Sequence, residues 1–324
     1  MIPAETVAAT HVRTIPRTLA HRHSVAEVFV TSLDAVGEDA FVIGAQLPRM
    51  HGHYGDHAGA LATRHDPIAV MEAARQASIA LTHEFYGVPA DRAFLVRTFN
   101  STGADTSAWE IDSAPADLVM HARALRKHYR EETLQGLDLI LEISCAGVPL
   151  STVDGSFSWV SPRAWSAMRS GFRKQLGLGE FEAAIRPADR AEAATVGREN
   201  WRNVVIGEPR SADGVTRAAL VADTSHPILF DHELDHVPGN LLIEAARQTA
   251  VSMMRPQLPV LSVTSAFGHF VELDAPAECV ARIADEGVGP TVVHCEIHQH
   301  GAVAARIDLE FADDAPGSES EVVD

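Results

Sequence analysis

The sequence predicts an α+β protein built twice over, each half an antiparallel sheet curled around one central buried helix. Three observations carry this expectation. The run Glu72-Ala-Ala-Arg-Gln76 recurs as Glu244-Ala-Ala-Arg-Gln248, 172 residues later in a chain of 324; a repeat of this kind is sought first because missing it misreads the fold. Each copy lies in a stretch that is apolar or small on nearly every side, as in a helix buried all round. Around both copies lie short segments of alternating apolar and polar residues, separated by Gly, Pro or Asp, which is the period-two pattern of strands.

Taken in order, Val25–Thr31 and Ala40–Leu47 read as strands ahead of the first helix. That helix opens at Asp66-Pro67, a capping residue followed by an imino acid whose missing N–H costs nothing in the first turn. It ends at Tyr86-Gly87-Val88-Pro89, a stop signal. Arg92–Phe99, Leu137–Ala146 and Gly155–Val160 follow as strands. Among them Arg123, Arg126, Lys127 and Arg130 form a basic stripe. It reads either as the solvated face of a helix or as a dock for an acidic carrier protein or a phosphorylated cofactor. Residues 161–200, rich in Arg, Ala and Gly with scattered helical periodicity, join the halves. In the second half Val215–Ala222 precedes the helix that opens at Pro238-Gly239, and Val260–Val271, Glu278–Ile283, Thr291–His300 and Ala302–Phe311 follow it. The expected division is an N-terminal domain over 15–165, a connecting segment over 166–200, a C-terminal domain over 201–312 and an acidic disordered tail over 313–324.

The charge balance narrows the function. Lys and Arg number 26 and Asp and Glu 44, a formal net charge of −18, which argues against a general nucleic-acid binder. No apolar run approaches the ~18–20 residues that cross a bilayer. Met1 to His23 lacks the apolar block of a secretory signal. Three cysteines, Cys145, Cys279 and Cys295, form neither a disulfide framework nor a zinc signature, and Cys145 reads as a core residue. A cytoplasmic protein with reduced thiols is expected. Neither His294, Glu296, His298 and His300 nor His51, His53 and His57 shows an established metal-ligand spacing, so no metal and no cofactor is expected.

The densest chemistry runs from His226 to Gly239, with His226, His232, His236, Asp231 and Asp235 in a Pro-bounded loop before the second helix. That helix then presents Glu244, Arg247 and Gln248 on one face, as Glu72, Arg75 and Gln76 do in the first. A Glu–Arg pair at this spacing is either a structural lock on helix register or acid–base machinery. As machinery, Glu244 serves as a general base with a raised pKa. The amides near Gly239 and Asn240 face a developing oxyanion, Gly239 admits substrate close to the backbone, and the Arg fork takes a phosphate or carboxylate.

The segment His226-Pro-Ile-Leu-Phe-Asp-His-Glu-Leu-Asp-His-Val-Pro-Gly-Asn-Leu-Leu-Ile-Glu-Ala-Ala-Arg-Gln248 closely resembles the signature of the A-factor synthase family of γ-butyrolactone and furan autoregulator biosynthesis. His65 to Gln76 fits the same family, and the resemblance spans roughly residues 15–312. It implies a tandem hot-dog fold. It also implies transfer of a β-ketoacyl group from an acyl carrier protein or coenzyme A thioester to the hydroxyl of dihydroxyacetone phosphate. The second-half motif is similar to the hot-dog dehydratases of fatty-acid synthesis, with a loop His, then Pro-Gly, then a helix Glu. Here His232 lies six residues before Pro238 and Glu244 six after it, a loop about two residues shorter, so Asp231 or His236 stands as an alternative to His232. The first half has Asp66-Pro67 in place of Pro-Gly, which suggests a modified or non-catalytic site.

On this resemblance Glu244, Glu72 and His232 are the expected catalytic residues, and Arg247, Arg75, Asp231, Gly239 and Asn240 the expected substrate-binding ones. Glu72 would serve a site completed by the second-half loop, since in paired hot-dog units the loop of one often faces the helix of the other. The two halves already form a pseudo-dimer, so either a monomer or a homo-oligomer fits. A dehydratase or thioesterase is the nearest alternative on the same fold, and a non-catalytic acyl-binding regulatory module the alternative of another class.

Overall fold

The computed structural model describes residues 8–254, 257–284 and 290–313. The expected tail, apart from Asp313, lies outside the described residues. Twelve strands form one antiparallel sheet: β1 (Val30–Gly37), β2 (Ala40–Leu47), β3 (Ala93–Gly103), β4 (Ala116–Arg130), β5 (Thr133–Cys145), β6 (Val148–Val160), β7 (Arg210–Ala212), β8 (Val215–Ala219), β9 (Val260–Phe267), β10 (Glu278–Ile283), β11 (Thr291–Gln299) and β12 (Ala302–Phe311). Their spatial order is β1-β2-β4-β5-β6-β3-β9-β12-β11-β10-β8-β7. Read from its two ends, this order is the same path taken twice, meeting at the β3–β9 seam. Two long helices, α1 (Pro67–Tyr86) and α3 (Gly239–Ser252), follow β2 and β8.

Each helix is apolar because it is enclosed. Ile68 through Ala74 are buried in α1, and Leu241 through Val251 in α3. Asp66 caps α1, its side chain accepting the Ile68 N–H at 2.8 Å, and Gly87 ends the helix in the left-handed region at φ 64°, the geometry glycine adopts most cheaply. α3 begins after Pro238 with no side-chain cap. The seam is short, pairing Thr98 with Ala266, Ser101 with Val263 and Thr102 with Ser262. The Asn100 side chain accepts the Ser265 N–H across it.

Two expectations change. The basic stripe lies on a strand, β4, not on a helix. Ala116, Leu118, Met120 and Ala122 point inward and Arg123, Arg126 and Arg130 are exposed. Bulges between Ala124 and Arg126 and between His128 and Tyr129 break the alternation that would have marked the strand. The strand expected from Val25 begins only at Val30, because residues 25–27 make a single 3-10 turn. The connecting region holds a helix, α2 (Pro162–Gln175).

Candidate active site

The repeated Glu, Arg and Gln form two buried clamps. In the first, Glu72 Oε1 accepts from Arg22, from Arg75 Nη2 (2.9 Å) and from Gln76 Nε2 (2.8 Å). Its Oε2 accepts from Arg75 Nε (2.8 Å) and from Asn240 Nδ2 (2.7 Å). Gln76 in turn takes the Phe29 N–H at 2.8 Å. In the second, Glu244 Oε1 accepts from Arg198 Nη2 (2.6 Å) and Gln248 Nε2, its Oε2 accepts from Arg247 Nη2, and Gln248 takes the Val205 N–H at 2.9 Å. Arg22 and Arg198 each stand seven residues before the amide that the glutamine binds.

Neither glutamate is a base with a raised pKa. Burial alone pushes Glu244 upward, but Arg198 and Arg247 more than reverse this and hold it at about 2. Burial opposes ionisation of Glu72 too, and Arg22 and Arg75 hold it well below the ordinary carboxylate range. Both are ionised carboxylates fully engaged by donors, so the expectation of a partly buried, proton-accepting glutamate is corrected.

The surroundings of the clamps differ. A cavity of about 800 Å³ is lined by His21, Arg22, Tyr54 and Arg75 from the first half and by His232, Gly239 and Asn240 from the second. Its other walls are mostly apolar, among them Phe94, Met168, Phe172, Leu242, Phe267 and Phe270, with His236 and His269 between them. Volume and lining suit a ligand with a polar head and a long apolar part. Glu244 does not line it. The space beside Arg247 and Arg198 holds only about 40 Å³. There Asp66 Oδ2 accepts from Arg247 Nη1 (2.8 Å) and lies 3.0 Å from His57 Nε2.

The structure therefore regroups the expected site residues. Arg75, His232, Gly239 and Asn240 meet at the large cavity, with Glu72 buried behind Arg75 and Asn240. Glu244 and Arg247 belong to the other, closed centre, so the loop motif and the glutamate that follow one another in sequence serve different places. Asp231 does not line the cavity: its carboxylate accepts the backbone N–H groups of His23 (2.5 Å) and Ser24 (3.0 Å), pinning the segment that carries His21 and Arg22. His236 lines the cavity beside Trp165 and Phe270 and pairs with Asp235 at 2.8 Å.

Sequence reasoning missed Arg22, Arg198, Tyr54 and His21. The equal spacing of the two arginines from their glutamine-bound amides is visible only once the fold identifies those amides. α2 was missed as a wall of the cavity; Arg169, with Glu272 (2.6 Å) and Asp235 (2.9 Å), and Arg173, with Asp274 (2.6 Å), seat it there.

The amides expected as oxyanion donors, those of Gly239 and Asn240, have no acceptor among the described residues. The Pro238 carbonyl accepts from Leu241 and Leu242, so the amides of Gly239 and Asn240 precede the first helical acceptor. A Cβ on Gly239 would meet only the Phe267 ring, at 3.5 Å, so what a bare glycine keeps open is the cavity in front of that turn. Buried side-chain polar atoms without a partner among the described residues include Tyr54 Oη and His232 Nδ1, both from residues that line the cavity. Burial, then His23 and Arg75, lower the His232 pKa, which keeps its ring neutral at pH 7. Of the six histidines weighed as metal ligands five have side-chain partners: His51 with Glu27, His53 with Asn203, His57 with Asp66, His294 with Asp308 and His298 with Glu296.

Comparison with known proteins agrees with this architecture. Residues 4–161 and 181–312 match the A-factor biosynthesis hotdog domain. A 2-oxo-3-(phosphooxy)propyl 3-oxoalkanoate synthase of Streptomyces virginiae is 32% identical over 265 residues, 81% of this chain and 85% of the relative. The enzyme of the same description from Streptomyces coelicolor is 30% identical, covering 89% and 88%. Among solved structures, a putative oleoyl thioesterase from Lactobacillus plantarum superposes with a TM-score of 0.53 at 10% identity, covering 84% of this chain and 96% of that one, a likeness of fold. No helix among the described residues is long and apolar enough to cross a membrane. With both halves matched and the paired-sheet architecture in place, this chain belongs to the A-factor biosynthesis hotdog-domain family.

Proposed function

We propose that the protein is an acyltransferase that moves a 3-oxoacyl (β-ketoacyl) group from an acyl carrier protein or coenzyme A thioester to the hydroxyl of dihydroxyacetone phosphate. The ester would feed biosynthesis of a γ-butyrolactone, butenolide or furan signalling molecule. The names of the relatives support this reading, since 2-oxo-3-(phosphooxy)propyl 3-oxoalkanoate is the ester of those two parts. The observation that carries it is Asp66. In the closed centre its carboxylate bridges Arg247 and His57; in the open centre the matching Arg75 and His232 line a cavity and α3 has no capping carboxylate. A ligand anion takes that place.

The residues then divide the work. Arg75 Nη1, without a hydrogen bond among the described residues, binds the acceptor phosphate, while Glu72 holds the guanidinium and Asn240 in position. The amides of Gly239 and Asn240 receive the thioester oxygen as it becomes an oxyanion. His232 hydrogen-bonds the leaving sulfur, and the apolar walls take the acyl chain. One chain supplies every part, so a monomer suffices; both substrates belong to the cytoplasm, where we place the reaction.

Mass spectrometry of purified protein with a 3-oxoacyl thioester and dihydroxyacetone phosphate tests the assignment. The phosphorylated ester, or its dehydrated ring-closed form, should appear with wild type and be lost with Arg75→Met. Free 3-oxo acid alone would make the protein a thioesterase. Unconsumed thioester across several donors would make it a binding module.

A further inference from the structure

Acyl transfer to a hydroxyl needs a group to take the hydroxyl proton, and both clamp glutamates are fully engaged by donors. Hydrogen bonds leave two histidines of the cavity wall with a bare ring nitrogen: His236, whose Nδ1 is 2.8 Å from Asp235 Oδ1 beside Trp165 and Phe270, and His21, which is the one near Arg75 and His232. His83, on α1, lies 2.7 Å through Nδ1 from the Val88 carbonyl and 2.8 Å through Nε2 from His21 Nε2. A carbonyl only accepts, so His83 Nδ1 carries the proton and its Nε2, in the neutral ring, is bare. His21 Nε2 must then be the donor of the N–H···N bond. That leaves Nδ1 of the neutral His21 ring with its lone pair exposed. His21 lines the cavity with Arg75 and His232.

The backbone at His21 closes a turn over residues 17–21, in which the Arg22 N–H donates to the Arg17 carbonyl at 3.0 Å and His21 is left-handed. Six non-glycine residues among those described have positive φ. Asp39, Glu131, Ala146, Asp213 and His300 are at the turns of strand hairpins; His21, at φ 49°, is in no hairpin. A left-handed turn residue presents its ring in one direction only where its surroundings also fix it. Here they do: Arg22 is locked on Glu72, the amides of His23 and Ser24 on Asp231, and the ring packs edge-on against Phe94 at 5.3 Å.

We propose that His21 is the general base of this site: its Nδ1 accepts the proton of the acceptor hydroxyl, with His83 and the Val88 carbonyl as the relay that fixes its tautomer. This rests on the acyltransferase reading. As the O–H bond breaks, the oxygen forms a bond to the thioester carbonyl carbon. The C–S bond breaks when the tetrahedral intermediate collapses, and the proton taken by His21 ends on the departing sulfur, so the base is restored at each turnover. Burial, then His83, Arg75 and His232, hold the His21 pKa down to about 4, so the base form is the resident one at neutral pH.

His21→Asn tests the proposal, because asparagine tolerates the left-handed backbone but offers no comparable base. The expected result is a fall in kcat of about 100-fold or more, with KM for dihydroxyacetone phosphate little changed. His83→Phe, which removes the relay and leaves His21, should lower kcat less and by the same route. Ester formation near the wild-type rate in folded His21→Asn would overturn the role and leave the acyltransferase intact. If wild type yields only free 3-oxo acid, the acceptor assignment fails instead. Loss of that hydrolysis in His21→Asn would then still support the base, and its survival would overturn it. Nitrogen-15 NMR of histidine-labelled protein reads the tautomer without turnover: a bare Nδ1 on His21 is expected, and a protonated one would overturn the relay.

Discussion

The clamps on Glu72 and Glu244 are made from the same parts, and only one of them borders a large cavity. Each has an i+3 arginine, an i+4 glutamine and a second arginine from a distant segment. The difference lies in the helix start that faces each clamp. At the closed centre the start of α1 spends its donors: Pro67 has no N–H, Ile68 gives its N–H to Asp66, and the other oxygen of Asp66 occupies Arg247 and His57. At the open centre the start of α3 is Pro238-Gly239-Asn240, which leaves amides, an imidazole and part of a guanidinium to the cavity. On this reading the glutamate is a positioning group in both halves, and what the facing turn does with its polar groups decides where chemistry is possible.

The largest expected effect is on turnover. Arg75→Met should abolish ester formation, whereas Arg247→Met should cost stability and leave the folded fraction active; loss of turnover in correctly folded Arg247→Met would erase the contrast. Next comes stability. Glu244→Gln uncouples two buried arginines and should destabilise by about 3–5 kcal/mol in chemical denaturation, with turnover per folded molecule retained. A pH dependence follows. The carboxyl held at about 2, against an ordinary 4.5, contributes stability that is complete above the ordinary value and is lost as pH falls through about 2. Glu244→Gln should flatten the acid limb of a stability–pH curve over that window.

A third test converts one centre toward the other. Asp66→Ala should lower the melting temperature, and inorganic phosphate should restore part of the loss by replacing the carboxylate between Arg247 and His57. No such rescue would mean that Asp66 is no stand-in for a ligand anion. The smallest effect concerns chain length. Gly171 on α2 lines the open cavity and a Cβ there would meet nothing within 4 Å, so Gly171→Leu should leave folding intact and shift preference toward shorter acyl chains in a donor competition assay.

Much of this was legible in the sequence. The repeat, the buried helices and strands such as β2, β10 and β12 follow from periodicity and from the Asp-Pro and Gly stop signals. The crossing of loop and helix between halves was legible only as a general property of paired units, and it reassigns Glu244. β4 was hidden by its bulges and by Arg side chains that mimic a helix face. Arg22, His21 and Arg198 were illegible for a different reason: each acts about 46–62 residues along the chain from its partner, and no local pattern encodes such a pairing. The raised pKa expected of a buried glutamate failed because burial was judged without the second arginine.

The β3–β9 seam has a consequence for how such a protein can become asymmetric. In a homodimer of single units a twofold axis would pass through this seam, and any substitution would appear on both sides of it. An Asp-Pro helix start would then close both centres together, and a Pro-Gly start would open both. Joining the units in one chain removes that symmetry operator while keeping the continuous sheet. One facing turn is free to become a permanent internal ion pair, and the other is free to remain a mouth.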